Sequence, residues 1–354
     1  MEQRDEIMIN ALPSKTWHWL RMNETALSWK PDLALCQTMI EGGKPTEILK
    51  ETAQKIETGA GSGADPLFRE SEEEGYGILA DQTNLGETVR VIVGNREEGS
   101  EGSLYIQAEK HADITVVETF PAGKMPAKRL AYRTRVHAEA ESRVRLVQVF
   151  MQGEGTELLN DIGCVCEQDA HFEILQMVIG RGDLYNGIRT DLEGDGSDVQ
   201  IAIGYLGQKK QLLDMNLVVN HLGKKTNSFI QVDGTLKDAA QKIFRGTIDF
   251  KNGSSESKGA ETENVLLLGD DVVNKTIPVI LCAEEDVEGS HGATIGELDE
   301  DTLFYFASRG ICAEVAEEIM TKGKMEVLYR KIQDAATETL VEQQLAEVME
   351  YDRA

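Results

Sequence analysis

The chain has 354 residues, 36 of them basic and 62 acidic, for a formal net charge of −26. A surface that acidic repels a phosphate backbone and argues against nucleic acid as a partner. With 41% apolar and 28% charged residues, the chain carries enough apolar surface to bury a core, which excludes intrinsic disorder.

The N-terminal stretch mixes acidic residues with Trp17 and Trp19 and lacks the apolar segment behind a basic head that marks a signal peptide. No run of about eighteen apolar residues occurs, so no membrane span is expected and the expected location is cytoplasmic. Cys36, Cys164, Cys166, Cys282 and Cys312 are odd in number and widely scattered. That pattern suits reduced thiols better than a disulfide framework.

Three zones follow along the chain. In residues 1–75, Thr16 to Trp19, Leu33 to Ile40 and Pro45 to Ile56 place apolar residues at three- and four-residue spacing, which predicts short helices. Gly59, Gly61 and Gly63 with the acidic run Glu70 to Glu74 read as a linker by composition.

Across residues 76–296 the period becomes two, as in Val89-Val91-Val93, Val144-Leu146-Val149, Phe172-Ile174 and Ile243-Thr247-Phe250. Such alternation, broken by Gly, Asp and Asn, predicts strand after strand. Ala112, Ser142, Ala170 and Ser197 each precede an alternating run, at a spacing of roughly 28 residues that points to stacked repeats. A β-solenoid accounts for both the short strands and the missing helices, and a sandwich or barrel gives similar alternation. In residues 297–354 the helical period returns. Asp299 is placed to cap a helix that Gly310 ends, a second helix runs from about Cys312 to Met320, and a third from about Glu326 to Met349.

The search for reactive motifs is mostly negative. Gly43-Lys44, Gly123-Lys124, Gly223-Lys224 and Gly323-Lys324 lack the hydroxyl that follows the lysine of a phosphate-binding loop, so no ATP hydrolysis is expected from this chain alone. No zinc-protease helix, Cys-x-x-Cys pair or nucleophile elbow occurs. Cys164 and Cys166 share one strand face and could hold a soft metal, although two small core residues are the simpler reading. Cys282, in the apolar run Pro278 to Ala283, reads as core. His18, His111, His137, His171 and His221 have no ligand spacing, whereas His291 lies among Glu284, Glu285, Asp286, Glu288, Gly289 and Gly292. Glycines there leave the ring accessible.

Around His291 the sequence resembles a known family. Gly246-Thr247-Ile248-Asp249-Phe250, Asn264-Val265-Leu266-Leu267-Leu268, Pro278, Glu285-Asp286-Val287, Ser290-His291-Gly292-Ala293-Thr294-Ile295-Gly296 and Leu303-Phe304-Tyr305-Phe306-Ala307-Ser308-Arg309-Gly310-Ile311 resemble the C-terminal signature of the SufB/SufD scaffolds of iron-sulfur cluster assembly. His221, Thr226-Asn227-Ser228 and Asp233-Gly234 extend the likeness over roughly the last 140 residues. The resemblance implies a mainly β protein, a right-handed parallel β-helix flanked by N-terminal and C-terminal helical domains. It also implies a non-catalytic scaffold that pairs with a SufB-type chain and binds a SufC-type ATPase, through which alone ATP would act. The ATPase would dock on about residues 299 to 345, for which Phe304, Tyr305, Arg309, Gly310 and Ile311 are the candidate contacts.

The SufB-type nucleating cysteine is missing where the segment reads Gly269-Asp270-Asp271-Val272-Val273-Asn274, and His291 is followed by Gly292 instead of an acid. The Ser-His-Gly-Ala-Thr form is SufD-like, and Gly289 stands where many SufD chains carry a cysteine. The resemblance therefore makes His291 the candidate metal ligand for a transient iron-sulfur cluster at the interface with SufB. An imidazole can replace a thiolate and attaches the cluster more weakly. Two other readings stay open: a self-sufficient homodimeric scaffold working with SufC, and a β-helix enzyme that acts on polysaccharides through paired carboxylates.

Overall fold

A computed structural model describes residues 6–14, 18–30, 32–46, 50–94, 99–122 and 129–351. Among these, one ten-stranded and one nine-stranded sheet lie face to face, and successive strands from Tyr76–Ala80 to Val287–Gly296 alternate between them. Within each sheet these strands pair in parallel with one another, with Arg129, Glu157 and Asp183 in register on one and Asp113, Arg143 and His171 on the other. The result is a parallel β-solenoid of about seven turns.

The repeat seen in the sequence has a physical cause at one corner of the coil. His111, Glu141, Asp169, Lys225 and Glu256 adopt left-handed backbone with φ of 62°, 61°, 53°, 57° and 63°, and Gly196 fills the same place. The amide of each donates to a carbonyl of the next coil, as His111 N does to Ala140 O and Glu256 N to Asp286 O. The residue after each must fit beneath the stacked turns, and Ala112, Ser142, Ala170, Ser197, Thr226 and Ser257 are all buried. A larger side chain there would push neighbouring coils apart.

Inward positions carry Val, Ile, Leu and Phe and form one continuous core between the sheets. Phe120 stacks on Phe150 with ring centroids 5.0 Å apart, one coil above the other. A polar network crosses the interior: Thr134 and Gln148 donate to Glu118, Asn160 and Gln176 each donate to Gln148, and Asn186 bonds both Asn160 and Gln176. The Gln148 and Gln176 column then becomes apolar at Ile203 and Val232 before it reaches Glu263.

The N-terminal zone departs from the expected helices. Residues 34–46 instead add short strands to both sheets: Ala34–Leu35 pairs with Ser100 and Glu101, Gln37–Glu41 runs antiparallel to Arg90–Gly94, and Lys44–Thr46 runs antiparallel to Gly77–Leu79. The Pro45 to Ile56 segment keeps only the four-residue helix Lys50–Ala53, and residues 47–49 lie outside the described residues. The Thr16 to Trp19 segment contributes to one 3-10 turn at His18–Leu20, with residues 15–17 outside the described residues. Helices this short have little stability of their own, and an open sheet edge offers the same backbone a full ladder of hydrogen bonds.

The expected linker is also absent, because that segment is packed. Gly59 N donates to Ile162 O at 3.0 Å, Ala60 N to Asp161 Oδ1 at 2.8 Å, and a Cβ on Gly59 would lie 2.0 Å from Ile188 N. Glycine is needed there for close backbone approach, which composition alone cannot distinguish from flexibility. The acidic run forms part of the same cover. Glu72 accepts from both Arg133 and Arg135, and Arg133 is itself buried against Asp161 and the Phe68 ring.

Three helices follow the last strand: Glu300–Ala307, Ala313–Tyr329 and Ala335–Tyr351. Asp299 caps the first through a bond from Thr302 N at 2.6 Å, and Gly310, at φ 79°, ends its final turn. The break between the second and third lies at residues 330–334 rather than between Met320 and Glu326. Gly323 is tolerated within the second helix, while Asp334 caps the third and pairs with Arg90 at 2.5 Å. No described helix is long and apolar enough to cross a membrane.

These helices do not cover the end of the solenoid. Met325, Leu328, Tyr329, Ile332, Val341 and Leu345 pack onto the outer face of the nine-stranded sheet, against Val117, Val147, Leu175 and Met177. Arg145 anchors the connection by donating to Ile332 O at 2.9 Å. The last strand of each sheet, Val273–Cys282 and Val287–Gly296, therefore forms an open edge.

Candidate functional site

His291 sits in the middle of the strand Val287–Gly296, and the strand is exposed along nearly its whole length. Residues in register on parallel strands share a face, so the column Leu146, Ile174, Ile201, Ile230, Glu261 and His291 fixes its orientation. Its first members are core residues. His291 thus occupies an inward position of the final coil, and it is accessible because no further coil lies over it.

Beneath it the interior turns ionic. Lys242, Glu261 and Glu263 are each at least 96% buried, at relative exposures of 0%, 4% and 1%. The Lys242 ammonium contacts Glu263 and lies 3.2 Å from Thr276 Oγ1, while the Thr276 hydroxyl donates to Glu263 Oε2 at 2.7 Å. Burial raises the Glu261 carboxyl to about 7, against the opposing pull of Lys242. Burial likewise lowers Lys242 to about 7, with the Glu261 charge opposing. The Glu261 carboxylate fits only because residue 246 is glycine: a Cβ there would lie 1.9 Å from Glu261 Oε2.

The sequence reading missed Lys242, Glu261 and Glu263. The sequence carried no signal for them: in the strand Ser257–Leu268 the apolar residues are Ala260 and the unbroken run Val265 to Leu268, and only the alternating burial of the folded strand places Glu261 and Glu263 inward.

Other candidates separate clearly. Cys164 and Cys166 share one face with their Sγ atoms 3.7 Å apart, fully buried among core residues, and burial holds the Cys164 thiol well above its ordinary range. Cys282 is exposed, contrary to the core expectation, because it lies on the terminal coil and nothing stacks over it. His221 is buried, with Nδ1 2.7 Å from Thr226 Oγ1, Nε2 2.9 Å from Ser228 Oγ and its ring stacked on Phe250 at 4.6 Å. His137 and His171 pair with Glu167 and Asp198, at 3.0 and 2.6 Å. Both positions are structural. Gly289 is an inward position too: a Cβ there would sit 3.1 Å from Ile280 Cγ2 and Phe250 Cε2.

On the first C-terminal helix, Phe304 and Tyr305 are 75% and 53% exposed, and the Arg309 guanidinium lies 3.6 Å from the Tyr305 ring centroid. Gly310 N and Ile311 N close the helix end onto Ala307 O and Phe306 O. The helix buries none of its residues and is in contact with the second helix. Its exposed aromatic residues are separate from His291 in sequence.

The described residues thus define a two-sheet parallel β-solenoid, closed at its N-terminal end by antiparallel strands and open at its C-terminal end, with a histidine on the open edge. The profile described as SUF system FeS cluster assembly, SufBD core domain, matches residues 91–324. The chain belongs to this family and is a SufD-like member of it. It is 28% identical over 223 residues to the iron-sulfur cluster assembly protein SufD of Bacillus subtilis (strain 168), covering 62% of this chain and 51% of that one. It is 23% identical over 244 residues to SufD of Escherichia coli (strain K12), covering 69% and 57%. A SufBD family protein of Pyrococcus horikoshii is 29% identical over 230 residues, covering 65% and 51%. The chain spans about half the length of these curated relatives.

Proposed function

We propose that this chain is a SufD-like scaffold of iron-sulfur cluster assembly, not itself catalytic, that carries a nascent cluster as cargo at His291. The observation that carries this reading is the exposed His291 at the centre of a terminal strand that is paired on one side only. A SufB-type scaffold would add its own terminal strand to this edge and supply the thiolate ligands that the edge lacks. A SufC-type ATPase would dock on the exposed aromatic face of Phe304 and Tyr305, with Arg309, Gly310 and Ile311 shaping the helix end. ATP would act only through that subunit.

The test is to co-express the chain with the SufB and SufC of its own organism, isolate by a tag on this chain, and measure stoichiometry and iron for wild type and His291→Ala. A complex that forms in both, with iron lost in the variant, supports the reading. Failure to form any complex would sink it.

A homodimeric scaffold is the second reading, because two open edges on one coil are self-complementary about a two-fold axis. Anaerobic reconstitution of the lone protein separates the two, since a stoichiometric cluster requires the homodimer. The polysaccharide reading loses its motive. The turn carboxylates Glu139, Glu167, Asp195 and Glu284 accept backbone N–H bonds of the adjacent coil, from Lys110, Ala140, Lys224 and Gly253, and so serve the fold.

A further inference from the structure

Two carboxylates and one ammonium lie together under the open edge. Glu263 takes both the Lys242 ammonium and the Thr276 hydroxyl, whereas Glu261 accepts a hydrogen bond from no described residue. The Glu261 carboxyl is thus left without a hydrogen-bonded partner, in a side chain that is 4% exposed. Its ionised form is costly there unless a cation or a donor joins it. The neighbour in register is His291, on a parallel strand about 4.8 Å away.

The geometry points to Glu261 and His291 as a two-residue seat for a divalent first-row transition metal ion, ferrous iron being the one that the assembly reading requires. An oxygen and a nitrogen donor suit such an ion, and Glu261 supplies the formal charge that imidazole lacks. Gly246 keeps space for the carboxylate, and the strand edge leaves the remaining coordination positions to water or to a partner. Among the described residues no three His, Cys, Asp or Glu side chains enclose a metal site, so this chain provides part of a shell that the interface completes. The inference rests on the proposed role of His291 and extends it to a residue one coil deeper.

The test uses the purified full chain under anoxia, titrated with Co(II) alone and followed by its visible absorption, with Fe(II) then added in competition. Wild type should bind one Co(II) per chain, displaced by Fe(II). Glu261→Gln and His291→Ala should each weaken binding at least about tenfold, and the double variant should be little worse than either, because both act on one ion. Gly246→Ala, which changes no ligand, should weaken it by crowding the carboxylate. Melting curves on each variant confirm folding. A Glu261→Gln isotherm that superimposes on wild type, or wild-type binding retained in the double variant, overturns the assignment. These measurements need no partner, so their failure is distinct from failure to form the assembly complex.

Discussion

Arg245 Nη1 lies 2.8 Å from Asp214 Oδ1, and both side chains are fully buried although they point to the outer face of the ten-stranded sheet. The N-terminal segment buries them. Asn10 Nδ2 and the Thr25 hydroxyl donate to Asp214 at 2.7 and 2.5 Å, and Arg245 Nε donates to Met22 O at 2.6 Å. A pair with these extra bonds specifies where the segment docks. Removing one partner leaves the other charge buried and unpaired.

Asp214→Ala should therefore destabilise the protein by about 3–5 kcal/mol. The loss is expected to concentrate in the N-terminal cover. Limited proteolysis should cut within residues 11–30 far faster than in wild type, while the solenoid resists. Equal cleavage rates would show that the pair does not hold this segment.

His221 gives a pH dependence of known sign. Burial lowers its pKa from 6.5 to about 4, so between those values the unfolded chain binds a proton that the native chain refuses. The contribution is fully present above pH 6.5 and is lost as pH falls toward 4, to a limit on the order of 3 kcal/mol. Denaturant melts of wild type and His221→Gln at pH 4.5 and 7.5 should show a smaller acid loss in the variant. An equal loss in both would assign the acid sensitivity elsewhere.

Glu118 has the opposite slope. Burial raises its carboxyl to about 7, with Gln148 and Thr134 bonds opposing. Its contribution is full below pH 4.5 and is lost as pH rises through 7. Glu118→Gln keeps the shape and removes the charge, and the Thr134 hydroxyl can turn to accept from the new amide. The variant should be flatter in stability from pH 5 to 8 and more stable than wild type at pH 8, by up to about 3 kcal/mol. A variant less stable at pH 8 would mean that the ionised form is favoured by the network.

Ile295 is 43% exposed on the terminal strand, where a charged side chain would oppose strand addition. Ile295→Lys should leave the melting temperature within a few degrees of wild type and abolish association through this edge, with SufB or with a second copy. Light scattering after size exclusion reads the change directly. Unchanged association would place the partner interface on another surface.

Much of the fold was legible because a solenoid repeats its demands. Small residues at Ala112, Ser142, Ala170 and Ser197 recur where stacked turns leave no volume, and that regularity survives in one sequence. Asp299 and Gly310 likewise act locally, through a cap and a left-handed residue. Gly59 and the run Glu70 to Glu74 were misleading because their partners, Ile188 and Arg133 with Arg135, are remote in sequence. Composition cannot tell a glycine that bends from a glycine that is crowded.

The candidate site divides in the same way. The sequence by itself determined an acidic, strand-rich chain, its coil repeat, its helical tail, its lack of a phosphate-binding loop and the setting of His291. Only the tertiary structure decided that the helices lie on the outer face and leave the last coil open, that Cys282 is exposed, and that Glu261 stands beside His291. Register across parallel strands brings together residues a whole coil apart, and burial depends on whether another coil stacks above. Both are properties of the assembled stack and not of any local segment.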